Sequence, residues 1–119
     1  MVQEERRRFP RYYASPSLKA VGEFPPKREY LLKVNDISID GLSFDTDADL
    51  SKEAVFSLSL EFTKPGGSVE RISALASILW YVYEKETSLY TASAQFLGLK
   101  SSDRELLRRL FETLEVKSG

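Results

Sequence analysis

No cysteine and no histidine occur in the 119 residues. The first absence excludes disulfides, thiolate nucleophiles and zinc–thiolate sites. The second removes the usual general base near neutral pH and the commonest metal ligand, so Ser-His-Asp triads, Cys-His dyads and His-rich metal centres are ruled out. Long apolar runs are missing too. No stretch approaches the roughly 18 to 20 residues needed to cross a bilayer, and the opening "MVQEERRR" lacks the apolar segment of a secretory signal. The expectation is a cytoplasmic chain with no membrane insertion. Charge of one sign is also not in excess: 17 Lys and Arg against 18 Asp and Glu leave a net charge of −1, which argues against a partner that is a nucleic-acid polymer. Together these absences shift the reading from catalysis toward binding.

What is present suits one compact domain of ordinary size. A hydrophobic share of 42% with 29% charged residues places the chain among globular proteins rather than disordered ones. The charge is unevenly spread. Residues 5 to 11 read "ERRRFPR", with Arg6, Arg7, Arg8 and Arg11 close together, while Asp36, Asp40, Asp45, Asp47 and Asp49 crowd the middle. Such a cluster of guanidiniums is suited to capturing an anion.

Residues 1–13 carry Pro10 and show no apolar periodicity, so they are expected to form a flexible arm. Residues 14–99 read as strands: about 18–24, 29–38 ("EYLLKVNDIS"), "LSFDT" after Gly41, "AVFSLSLEF", 69–84 and "SLYTASAQFLGL". In "AVFSLSLEF" the residues Phe56, Leu58, Leu60 and Phe62 alternate with polar neighbours, and "TKPGGS" supplies hairpin chemistry. On the long strand, Ile72, Ala74, Ala76, Ile78, Trp80 and Val82 share one face, which predicts packing for Trp80. Residues 101–116 switch to helical spacing. Ser102 with Glu105 reads as a capping box, Leu106, Leu107, Leu110, Phe111 and Leu114 form the apolar stripe, and Arg104, Arg108 and Arg109 face outward. Many short antiparallel strands followed by one helix indicate a mainly β domain, a barrel or a sandwich, with the helix packed on it.

Two motifs stand out. Arg7 and Arg11 form RxxxR, and Asp36, Ser38 and Gly41 form DxSxxG further along. In that order, within this strand pattern, they resemble the PilZ domain family, bacterial receptors for the second messenger cyclic di-GMP. The resemblance spans nearly the whole chain, as a single domain over 1–119, and implies a six-stranded antiparallel barrel with a C-terminal helix. It also implies a ligand with two phosphodiester anions and two guanines. Guanidinium bonds bidentately to phosphate and to the O6/N7 edge of guanine, which suits Arg7 and Arg11. A carboxylate accepts from guanine N1 and N2, which suits Asp36, while Ser38 can donate or accept and Gly41 lets the backbone turn sharply near the ligand. Arg6 and Arg8 are further candidates, Arg6 because family members with an arginine just before RxxxR often bind two stacked ligands. Some members hold an aromatic near the guanine where Trp80 stands, so Trp80 has a ligand reading beside its packing reading. Tyr12 and Tyr13 either stack on a base or anchor the arm.

The implied protein is a receptor or adaptor, not an enzyme, that signals to a downstream protein by changing shape, its arm closing over the ligand. The runner-up is a nucleotide-independent interaction adaptor of pilus or flagellar systems, and a single-stranded RNA binder on a small barrel, disfavoured by the acidic middle, is the other rival. No cofactor or metal is expected. Asp45, Asp47 and Asp49 are spaced like the start of a calcium loop, but Leu50 stands where glycine is required and Phe56 where the bidentate glutamate belongs.

Overall fold

Alternating apolar and polar side chains bury one face only when the chain is extended, and most of this sequence folds that way. The structure, a computed structural model, describes residues 9–25, 27–50, 55–64 and 66–117. Its strands are β1 (Tyr12–Tyr13), β2 (Leu18–Phe24), β3 (Arg28–Ile37), β4 (Gly41–Thr46), β5 (Val55–Thr63), β6 (Val69–Glu84) and β7 (Leu89–Leu97), followed by helix α1 (Ser101–Phe111). All pairings are antiparallel. The strand order β1-β3-β2-β5-β6-β7-β4 closes through an added β3–β4 pairing, so β2 to β7 form a six-stranded barrel with β1 outside it.

Phe56, Leu58, Leu60 and Phe62 of β5 point into the barrel, where they meet Phe24, Phe44, Ile72 and Phe96. The β5–β6 hairpin turns through Gly66 and Gly67, both at φ 98°, a region that costs a side-chain-bearing residue dearly. Helix α1 adds Leu107, Leu110 and Phe111 to the same core and keeps Arg104, Arg108 and Arg109 exposed. Burial of each such large side chain contributes about 1.5–3 kcal/mol, which is why a helix of this length holds its place.

Three boundaries differ from the sequence reading. The helix starts at Ser101 with Lys100 as its N-cap and no side-chain capping bond, so the Ser102–Glu105 capping box does not form. Gly98, at φ 66°, turns the chain off β7, and Leu99 packs on the core, so the connection places the first turn before Ser102 can cap it. The helix also ends at Phe111 rather than near 116. Leu114 N–H bonds to Phe111 O in a tightened last turn, and the chain then runs alongside the arm: Tyr13 N–H donates to Glu115 O (2.9 Å) and Lys117 N–H to Arg11 O (2.8 Å). Tertiary pairing outweighs helical propensity there. Tyr12 and Tyr13, expected in the flexible arm, form β1 on the edge of β3. The remainder of the expected arm up to Arg8, including Arg6 and Arg7, lies outside the described residues.

Candidate functional site

Simple alternation would send Asp36 into the core. Leu32 is buried and Val34 is partly buried inside the barrel, and Asp36 is two residues further along β3. Asn35 interrupts the count. The register passes from Val34↔Phe44 to Asp36↔Ser43, so one extra residue forms a β-bulge, Ile37 takes the inward position opposite Leu42, and Asp36 turns outward. The same device recurs on β6. Ile78 pairs with Ala94, Leu79 is skipped, and Trp80 pairs with Ser93.

Residues directly opposite one another on paired strands share a face. Tyr13↔Asp36, Asp36↔Ser43, Ser43↔Ser93 and Ser93↔Trp80 therefore line up as one row across the outer wall. The expected packing of Trp80 is overturned: it is 52% exposed, because the bulge reverses its phase and the end of β6 runs on with β7 as its partner. Val82, assigned to the same inward face, is exposed as well.

Asp36 is the electrostatic centre of the row. It is 5% exposed although it faces outward, and two cations cover it. Arg11 Nη1 donates to Oδ1 at 2.7 Å and Lys117 Nζ donates to Oδ2 at 2.9 Å. Burial by itself pushes the Asp36 carboxyl up. Hydrogen bonds from Lys117, Arg11 and Ser43, with the Arg11 charge, outweigh it and hold the group below its ordinary value. The carboxylate is thus ionised at neutral pH, with one cation on each of its oxygens. Arg11 is fixed by its backbone as well, lying between Lys117 and β1. Tyr12 anchors, its ring stacked on Phe111 at 4.5 Å and 12°, whereas Tyr13 is 44% exposed beside Asp36.

The rest of DxSxxG shapes the turn into β4. Ser38 is 1% exposed; its hydroxyl donates to the Asp40 carboxylate and accepts from Asp40 N–H, while Ser38 N–H donates to Gly41 O at 2.8 Å. Gly41 meets no demand for unusual φ. A Cβ there would lie 2.1 Å from the Ala94 carbonyl oxygen, so glycine is what lets β4 approach β7. Among the described residues, no group of three or more His, Cys, Asp or Glu side chains could hold a metal ion.

A family model for the PilZ domain matches residues 5–113. The chain belongs to the PilZ domain family. Solved structures agree in fold. The MrkH–c-di-GMP complex of K. pneumonia is 21% identical at a TM-score of 0.69, covering 90% of this chain and 50% of that one. The Bacillus subtilis inhibitor of motility, MotI/DgrA, is 14% identical at 0.70, covering 91% and 50%. The PilZ domain with c-di-GMP of YcgR from Escherichia coli is 16% identical at 0.63, covering 92% and 91%. The chain thus spans about half the length of MrkH and MotI and nearly all of the separate YcgR domain. No curated protein matches the sequence.

In this PilZ domain the structure brings Arg11, Asp36 and Trp80 to one outer face and places Ser38 and Gly41 in the turn behind it. Arg6, Arg7 and Arg8 lie outside the described residues. Sequence reasoning missed Lys117, an isolated lysine beyond the helix, 81 positions from the carboxylate it bonds. It also missed Ser43 and Ser93. The alternation of Ser43 with Leu42 and Phe44 does signal an outward side chain.

Proposed function

We propose that this PilZ domain is a receptor for cyclic di-GMP, binding the nucleotide across the outer row between Arg11 and Trp80 and reporting it to a protein partner. One observation carries the reading: a covered but ionised carboxylate holds a guanidinium and shares its cross-strand row with an exposed indole. Those are the groups that a phosphodiester, the N1–H and N2 donors of guanine and a flat base require. MrkH forms a complex with c-di-GMP, and the YcgR PilZ domain is seen with the same nucleotide. In this reading Arg7 and Arg11 clamp phosphate, with Arg6 and Arg8 adding charge, Asp36 reads the guanine edge, and Trp80 stacks. Ser38 and Gly41 act through the turn that holds Asp36 in place. The ligand is bound, not converted, and the setting is the bacterial cytoplasm where this messenger is made. The partner is a protein, not a nucleic-acid polymer.

A second reading has its own support. Arg11 and Asp36 already satisfy each other, so the row could be purely structural and the domain a nucleotide-independent adaptor. Isothermal titration with cyclic di-GMP, cyclic di-AMP and GTP separates the two. The receptor reading expects saturable binding of cyclic di-GMP alone, weakened roughly 10- to 150-fold in Arg7→Ala, the equivalent of one charge-assisted hydrogen bond of about 1.5–3 kcal/mol. No heat with cyclic di-GMP, or equal affinity for cyclic di-AMP, overturns it.

A further inference from the structure

On the inner side of the arm, opposite Asp36, a groove of about 230 Å³ opens between the arm and α1. Tyr12, Ile39 and Phe111 give it apolar surface, Phe9 and Pro10 line it from the arm, and Arg104 and Arg108 line it from the helix. We propose that this groove docks an acidic segment of a partner protein through one apolar anchor residue, and that cyclic di-GMP controls the docking. The second half rests on the receptor reading above.

Size, charge and connection support the assignment. Sites for drug-sized molecules run from roughly 300 to 1,000 Å³, so this groove is too small for a nucleotide and suits one large side chain. Among the described residues its lining holds two arginines and no acidic residue. Arg104 and Arg108 stand one helical turn apart on the same face, where like charges repel. Among the described residues Arg104 has no acidic partner, and Arg108 has only the exposed Glu105 at 3.7 Å, a pair that contributes little. Carboxylates flanking an apolar anchor would relieve that repulsion. Aromatic and arginine side chains around a small pocket are also the usual composition of binding hot spots, and Phe9, 40% exposed, sits ready at its edge.

The groove is linked to Arg11 through the chain itself. Phe9, Pro10 and Tyr12 flank Arg11, whose guanidinium reaches Asp36 on the other face of the same short segment. Drawing the Arg11 guanidinium toward a phosphate releases the ion pair that ties this segment to Asp36, which lets the arm wall of the groove shift, while the α1 wall stays anchored in the core. Binding on the outer face is thereby converted into a change in a surface that a protein can read.

The test uses the full chain and a fluorescein-labelled peptide, Gly-Asp-Asp-Leu-Phe-Asp-Asp-Gly, followed by anisotropy. Saturable binding below about 1 mM is expected, falling about ten-fold in an Arg104→Glu/Arg108→Glu double variant and in Phe9→Ala, while Arg109→Glu, outside the groove, leaves it unchanged. A peptide with alanine in place of Phe and Leu should not bind. Absence of binding, equal binding by the double variant, or equal binding of the alanine peptide overturns the docking site. Saturating cyclic di-GMP should change the peptide affinity at least about three-fold. If calorimetry shows the nucleotide bound and the peptide affinity is unmoved, the coupling fails. If the nucleotide does not bind at all, the receptor reading fails while the docking site stands on the peptide data.

Discussion

Substituting Gly41 by alanine tests the close approach of β4 to β7. The added Cβ would sit 2.1 Å from Ala94 O and 3.2 Å from both Ala94 C and Gln95 Cα. All three atoms are backbone, so no side chain can swing aside. Relief requires β4 and β7 to part where Gly41 pairs with Gln95, which pulls on the Phe96 N–H to Asp40 O bond of 2.9 Å next to it. Overpacking of this kind costs about 1–3 kcal/mol, and a weakened buried backbone bond adds about 1–3 more, giving roughly 2–6 kcal/mol. Urea denaturation followed by far-ultraviolet circular dichroism should show the midpoint falling by about 1–3 M with an unchanged slope of about 2 kcal/mol/M. Gly66→Ala is the control of opposite cause. It has open space around it but φ 98°, so it should lose about 1–2 kcal/mol from conformation alone. A loss below about 0.5 kcal/mol in Gly41→Ala would refute the close-approach account and return the motif glycine to a direct ligand role.

Other expectations concern the row and the helix. The Asp36 carboxyl lies below its ordinary value of 3.8 when folded, so its stabilisation is present above that value and is lost as pH falls through the lower, folded value. Wild type should therefore exceed Asp36→Asn in urea midpoint at pH 7, with the gap closing in acid; a pH-independent gap would contradict the charge-based role. Trp80→Ala should cost less than about 1 kcal/mol of stability but weaken cyclic di-GMP by about 5- to 150-fold, the worth of one stacked base, and the reverse pattern would restore packing. Leu107, 0% exposed, should lose about 2–5 kcal/mol as alanine, with the melting midpoint dropping roughly 10–20 °C by calorimetry; a drop of a few degrees would mean that α1 is not part of the core.

Most of the architecture was legible in the chain because its signals are local. Period-2 alternation identified β5 and β7 and their inward residues, since a strand's two faces are set by its own sequence, and "PGG" marked its hairpin through backbone freedom alone. The motif residues Arg11 and Asp36 were legible too, as residue types at a spacing. Their geometry was not. Asn35 and Leu79 look like ordinary strand residues, and only pairing with β4 and β7 makes them bulges. Those two skips decide that Asp36 and Trp80 face outward together. Gly41 announces a turn in sequence but is required by a carbonyl more than fifty positions away, and the second cation on Asp36 comes from a lysine that no local pattern distinguishes. Alternation and turn chemistry act over a few residues and can be read from them. Register, close approach and ion pairing act across the closed barrel, and they exist only once it has closed.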